Sequence, residues 1–217
     1  VDKTNGLPMW YKDIVEKDAE GNPVLDADGK EIFIRRETTT NYSEATDYLC
    51  DDPTPDLYGG FGTSLSWRGF DLSASFTYSI GGLVYDSGYA SYMASPTNSN
   101  AGTNFHKDIL NSWTPENPNS NIPRFQYNDQ YTAASSDRFL VDASYLNFQN
   151  AQLGYTVPAK LTKKCHVDRL RVYVACDNIY YWSYRKGLDP RQSLTGATSN
   201  AMNSPVRTIS GGINITF

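Results

Sequence analysis

The sequence predicts an all-β chain: an antiparallel transmembrane β-barrel segment of about five strands, with long extracellular loops. Three observations carry this. Phe70 to Ile80 alternates without a fault. Phe70, Leu72, Ala74, Phe76, Tyr78 and Ile80 fall on one face, and Asp71, Ser73, Ser75, Thr77 and Ser79 on the other. That is the length and period of a tilted strand that crosses a bilayer. Residues 206–217 repeat the pattern, with Ile209, Ile213, Ile215 and Phe217 against Thr208, Ser210, Asn214 and Thr216, and the strand stops on the aromatic. Finally, the connections between strands run short, long, short, long, which is the rule for periplasmic turns and extracellular loops.

Composition agrees. Tyr and Gly occur 16 times each, among many Asn, Ser and Thr. Such usage favours strands and irregular loops over helices. A net charge of −5 gives no electrostatic footprint for nucleic acid. No run of about 18 apolar residues exists, so a transmembrane helix is excluded, but a half-apolar barrel strand is not. Val1 follows no starting Met, basic n-region or apolar h-region, so the chain is expected to begin after a processed segment or in mid-protein. So few strands cannot close a barrel, and an open edge cannot sit in lipid. The stretch therefore reads as the C-terminal strands of a larger barrel. Cys50, Cys165 and Cys176 form no CxxC pair and no even framework, and read as free thiols.

Residues 1–52 read as an extracellular loop region with a β-hairpin. Trp10-Tyr11 lies in a short aromatic strand, and Asp28-Gly29 between Val24-Leu25 and Ile32–Ile34 is a hairpin signal. Asp26, Asp28 and Glu31 resemble half a calcium loop, but the glycine and the distant glutamate stand at the wrong offsets, so a plain turn is preferred.

Residues 53–217 read as the barrel strands. A proline-stiffened break at 51–56 precedes Gly60–Trp67. Arg68-Gly69 is a two-residue turn before Phe70–Ile80. The stretch 81–137 has no clear period and carries Pro96, Pro115, Pro118 and Pro123. Loops of that length are usually functional. Strand pattern returns from Phe139 to Tyr155, switching parity between Phe148 and Ala151, which predicts a bulge near Gln149-Asn150. A short connection at 157–168 leads to a strand in which Leu170, Val172, Val174 and Cys176 alternate with Arg169, Arg171, Tyr173 and Ala175. A second long loop, 180–204, precedes the last strand. If Phe217 ends at the periplasm, both long loops lie outside the cell.

Catalysis has little support. His106 with Asp108 and Ser112 lacks a nucleophile elbow, and two histidines make no zinc pattern. Gly59–Gly62 lacks the lysine and helix of a phosphate loop. No enzyme activity, metal or cofactor is expected. Loop aromatics are the better signal: Trp10, Tyr11, Tyr89, Tyr92, Phe105, Trp113, Trp182 and Tyr184 offer flat faces for sugar rings or peptide side chains. The plainer reading of each is loop packing or an interfacial girdle. Asn98, Asn100, Asn104, Asn111, Asn117 and Asn119 could both donate and accept hydrogen bonds to such a substrate. Ile213, Ile215 and Phe217 are expected to act as the signal read by the outer-membrane assembly machinery. A secreted β-sandwich that binds glycans is the alternative. It predicts alternating strands and exposed aromatics, but neither the terminal-Phe strand nor the alternating loop lengths.

Several motifs, in order over roughly 53–217, resemble one family. Pro55-Asp56-Leu57-Tyr58-Gly59-Gly60-Phe61 with Trp67-Arg68-Gly69-Phe70-Asp71-Leu72 is similar to a segment of the SusC/RagA family of TonB-linked outer-membrane transporters. So are Trp113-Thr114-Pro115-Glu116-Asn117-Pro118, Asp142–Leu146, Leu153-Gly154-Tyr155-Thr156-Val157-Pro158, Leu170–Tyr173, Asp177-Asn178-Ile179, Gly187-Leu188-Asp189-Pro190 and the Gly211-Gly212-Ile213 ending. The resemblance implies a 22-stranded barrel with an N-terminal plug. It implies import of oligosaccharides or peptides powered by TonB, with a SusD-like surface lipoprotein as lid.

Overall fold

The computed structural model describes residues 1–129, 131–192, 196 and 205–217, so most of 193–204, within the second long loop, lies outside the described residues. Two compact units result, Val1–Cys50 with Gly88–Asp137, and Asp51–Ser87 with Arg138–Phe217.

The first unit is built on a hairpin of β1 (Trp10–Val15) and β2 (Phe33–Thr39), bulged between Ile14 and Val15. Pairing continues outward through Lys17–Pro23 and Leu25–Glu31. At the tip, Asp26 Oδ1 accepts from the Asp28 and Lys30 amides, 2.9 Å each. Gly29 takes the left-handed conformation there. Asp26 thus uses its own carboxylate to satisfy backbone donors of a hairpin turn. Thr46 edges the hairpin, its amide donating to the Tyr11 carbonyl and its hydroxyl accepting from Asp13 N. The remaining loop is tied to the chain start. Trp113 Nε1 donates to the Lys3 carbonyl at 3.1 Å, and the Arg124 amide to the Gly6 carbonyl at 2.8 Å. Gly6 has φ 73°, and a Cβ there would run into the Trp113 ring, so only glycine fits.

The second unit contains β3 (Leu57–Trp67), β4 (Phe70–Ile80), β5 (Leu83–Tyr85), β6 (Leu140–Asp142), β7 (Tyr145–Thr156), β8 (Arg169–Ser183) and β9 (Thr208–Thr216). A short helix α1 (Ser87–Tyr92) follows β5, and α2 (Ala159–Thr162) occupies the connection before β8. Five strands form one antiparallel sheet in the order β3-β4-β7-β8-β9. Arg68 and Gly69 both have positive φ, 47° and 89°, as a two-residue turn between twisted strands requires. The parity switch is a bulge at Gln149: Asn150 pairs with Ser75 while Phe148 pairs with Phe76, and β8 answers with its own shift between Asp177 and Tyr180.

Two elements differ from the sequence reading. The stretch 81–137 does not begin as loop. Leu83–Tyr85 pair with Leu140–Asp142, so β5 and β6 form a second small sheet. That pairing joins residues far apart in sequence, which no local period reveals. Val84, Val141 and Leu188 bury a small core there, with Ala143 against it. Likewise β8 does not stop at Ile179. It runs on to Ser183, because Tyr180, Tyr181 and Trp182 find partners in Phe148, Asn147 and Leu146.

The sheet has two unlike faces. Leu57, Phe61, Leu65, Trp67, Phe70, Leu72, Leu153, Val172, Val174, Ile209, Ile213 and Ile215 share one, and all are exposed. Rings pack across it in a row: Phe61 on Phe76 at 5.0 Å and Phe76 on Phe148 at 4.5 Å, both nearly parallel. The other face carries Ser64, Ser73, Gln152, Ala175 and Ser210 along one cross-strand line.

Candidate functional site

On the polar face, Asp71 of β4 and Arg171 of β8 meet across β7. Arg171 Nε donates to Asp71 Oδ1 at 3.0 Å, and Nη2 closes the second bond to Oδ2. Gly154 lies between them, and a Cβ there would sit 2.6 Å from either carboxylate oxygen. The arginine also lies over the Tyr173 ring, 5.2 Å from its centre. A forked pair of this kind holds three strands in one geometry. Alternation places both residues on the polar face, but their pairing over two strands was not readable.

At the other end of the sheet, Asp189 is 1% exposed and accepts both from Arg191 Nε at 2.8 Å and from Nη2 at 2.7 Å. That bond raises the Arg191 pKa, and the guanidinium sits 4.7 Å from the Tyr181 ring centre. Ser183 Oγ meets the Leu188 carbonyl at 3.0 Å, and Arg185 donates to Asp86 at 3.1 Å. The Gly187–Pro190 motif is therefore a pinned turn, not a free loop.

The aromatics named from the sequence take different places. Trp10 meets Tyr42 edge-on at 5.2 Å and Tyr131 at 6.5 Å. Tyr11 is exposed beside Arg36, which also lies 4.4 Å from the Tyr48 ring centre and pairs with Asp13 at 2.8 Å. The Arg36 hydrogen bond, then that of Tyr48, lowers the Asp13 pKa. Tyr89 donates its hydroxyl to Asp108 at 3.0 Å and packs edge-on to His106. Phe105 packs edge-on to Phe125. Trp113 is half-buried against Gly6, and Tyr92 and Tyr184 are exposed. Trp182 packs on Tyr180 along the apolar face of the sheet. Structure thus brings Trp10 into a cluster and leaves the others dispersed. Tyr42 and Tyr131, which complete that cluster, carry no period and no motif, so no local signal selects them. His106 Nδ1 accepts from the Asp108 amide and lies 3.3 Å from the Asp108 carboxylate, while Ser112 Oγ donates to the Ile109 carbonyl at 2.6 Å.

No protein-family model matches the chain. TonB-dependent receptor P3 of Formosa agariphila is 27% identical over 211 residues, covering 91% of this chain and 20% of the relative. TonB-dependent receptor P26 of the same organism is 29% identical over 175 residues, covering 76% of this chain and 17% of the relative. Among solved structures, the RagAB peptide transporter matches 100% of the chain with a TM-score of 0.74 at 26% identity. In sequence and fold the chain is thus similar to TonB-dependent receptors and to the RagAB transporter. The "open-open" state of the RagAB peptide importer matches at 0.72 and 25% identity. The chain spans about a fifth of the length of these relatives, matching 20% of P3 and 22% of the RagAB chain. The relatives are named as receptors and transporters.

The sheet is accordingly a segment of antiparallel transmembrane barrel wall. One face is bare and apolar and the other is rich in Ser and Gly, the asymmetry that a wall between lipid and lumen requires. The bulge at Gln149 and the forked Asp71–Arg171 pair shape the polar side.

Proposed function

We propose that this chain forms part of an outer-membrane importer that takes up oligosaccharides or peptides with energy from TonB, beneath a SusD-like lipoprotein lid. The observation that carries the reading is the five-stranded wall: bare and apolar on one face, small and polar on the other, and matched along its whole length by the RagAB barrel. A secreted sandwich would need a second sheet over Phe61, Phe70, Leu72, Val174 and Ile213, all of which stay exposed. In this reading 53–217 supplies barrel strands, residues 1–52 form an extracellular loop region with 81–137 and 180–204, and the C-terminus is periplasmic. Substrate contacts come from the loop aromatics. TonB acts through a plug encoded outside this stretch. Ile213 and Ile215 of β9, with Phe217 beyond it, form the assembly signal.

Uptake tests this. Cells lacking the receptor, and the same cells complemented with it, are given fluorescent oligosaccharide and peptide pools separately. One pool should enter only the complemented cells, and a protonophore should stop it, because TonB draws on the proton gradient. Equal uptake of both pools with and without the receptor refutes the proposal.

A further inference from the structure

We infer that the loop unit holds a subsite for an uncharged oligosaccharide, built around Tyr131. The inference rests on the import reading above and gives it a place and a ligand chemistry.

A basin of about 520 Å³ opens beside Tyr131, within the range of small-ligand sites. Hydroxyls and amides dominate its wall: Ser95, Thr97, Asn100, Asn128 and Thr132. The two sides are tied together before any ligand arrives. Ser95 N donates to Thr132 Oγ1 at 2.9 Å, Asn128 N to the Pro96 carbonyl at 2.8 Å, and Asn100 Nδ2 to the Ser95 carbonyl at 3.1 Å. Preformed walls lower the entropy cost of binding.

Tyr131 itself is held against its preference. Its φ is 61°, a left-handed conformation that a bulky side chain rarely takes. Such strain persists where surroundings enforce it, and it gathers at ligand sites. Here Tyr42 stacks on the ring at 5.0 Å with 24° between planes, and Trp10 abuts both. Yet Tyr131 remains 51% exposed. A ring fixed from behind and open to solvent, at the edge of a basin of hydroxyls and amides, offers what a pyranose requires. Its apolar C–H face stacks on the ring while its hydroxyls exchange hydrogen bonds with the wall.

Charge selects the class. Among the described lining residues the carboxylate is Asp129, and both its oxygens are taken by Arg124, at 2.7 and 2.8 Å. The Asp129 hydrogen bond raises the Arg124 pKa, so the guanidinium stays charged and the pair neutral. The described lining residues therefore offer no counter-charge to peptide termini, uronates or sulfates, and burying any of those there is unfavourable.

The test uses the full-length receptor in detergent, titrated calorimetrically with maltohexaose, cellohexaose, xylohexaose and mannohexaose, and separately with a mixed hexapeptide pool and a galacturonate hexamer. Tyr131→Asn removes the ring but suits the left-handed backbone, and Tyr131→Phe keeps the ring. Heat-modifiable gel mobility checks that each variant is folded. At least one neutral hexasaccharide should bind, Tyr131→Asn should weaken it roughly tenfold, the loss of one stacked ring, and Tyr131→Phe should stay within about threefold. The inference is overturned if no neutral hexasaccharide binds, if Tyr131→Asn binds it as well as wild type, or if only peptide or galacturonate depends on Tyr131. Cellular uptake separates this from the import reading. Uptake that needs the receptor but not Tyr131 removes the subsite and leaves import standing, whereas uptake indifferent to the receptor removes import itself.

Discussion

Phe76→Arg puts the wall reading at greatest risk. Phe76 lies near the middle of β4 on the apolar face, where its ring stacks on Phe61 at 5.0 Å and 11° and on Phe148 at 4.5 Å and 14°. Losing two stacked neighbours costs about 0.5–1.5 kcal/mol each. An arginine near the bilayer midplane adds about 2–4 kcal/mol. Together they give roughly 3–7 kcal/mol, a large part of the margin of most folded proteins. Phe76→Leu isolates the stacking share, about 1–3 kcal/mol. Ser73→Arg lies three residues away on the polar face and should cost no more than about 1 kcal/mol. The full-length receptor refolded into lipid vesicles, titrated with urea and scored by heat-modifiable mobility, reads all three. The order should be Phe76→Arg far below Phe76→Leu, with Ser73→Arg near wild type. If Ser73→Arg and Phe76→Arg destabilise equally, the two faces are not lipid and lumen, and the wall reading fails.

Asp71→Ala and Arg171→Ala should each destabilise the wall, yet the double variant should lose less than their sum, with a coupling of about 1–2 kcal/mol in the same urea titration. Gly154→Ala should mimic the break, since its Cβ would displace the pair. Gly6→Ala should free the chain start from Trp113, seen as faster tryptic cleavage after Lys3. The hairpin should respond to acid. Arg36 and then Tyr48 depress Asp13, while Lys12 and then Asn41 depress Glu44. A depressed carboxylate stabilises the fold above its unfolded pKa and loses that contribution as pH falls through the folded value. Hydroxyl-radical footprinting of 10–46 should thus be constant from neutral pH to about 5 and rise below about 4. Deleting Phe217 should leave the full-length receptor unassembled, and normal surface levels would contradict its role as a signal.

What the sequence determined by itself was whatever repeats at short range. Period two in Phe70–Ile80 and 208–217 set the strands and their faces, because alternate side chains must point to opposite sides of a pleat. The parity switch between Phe148 and Ala151 located the bulge, and Arg68-Gly69 located the turn. Tertiary structure alone decided the rest. Leu83–Tyr85 became a strand only because Leu140–Asp142 returned to pair with it. Tyr180–Ser183 stayed in β8 only because Tyr145–Phe148 offered partners. Asp71 met Arg171, and Tyr131 met Tyr42 and Trp10, through contacts between residues distant in sequence. Side-chain direction along a strand is a local property of the backbone and leaves a period in the sequence. A meeting of side chains from separate strands or loops is fixed by strand pairing and loop closure, which leave none.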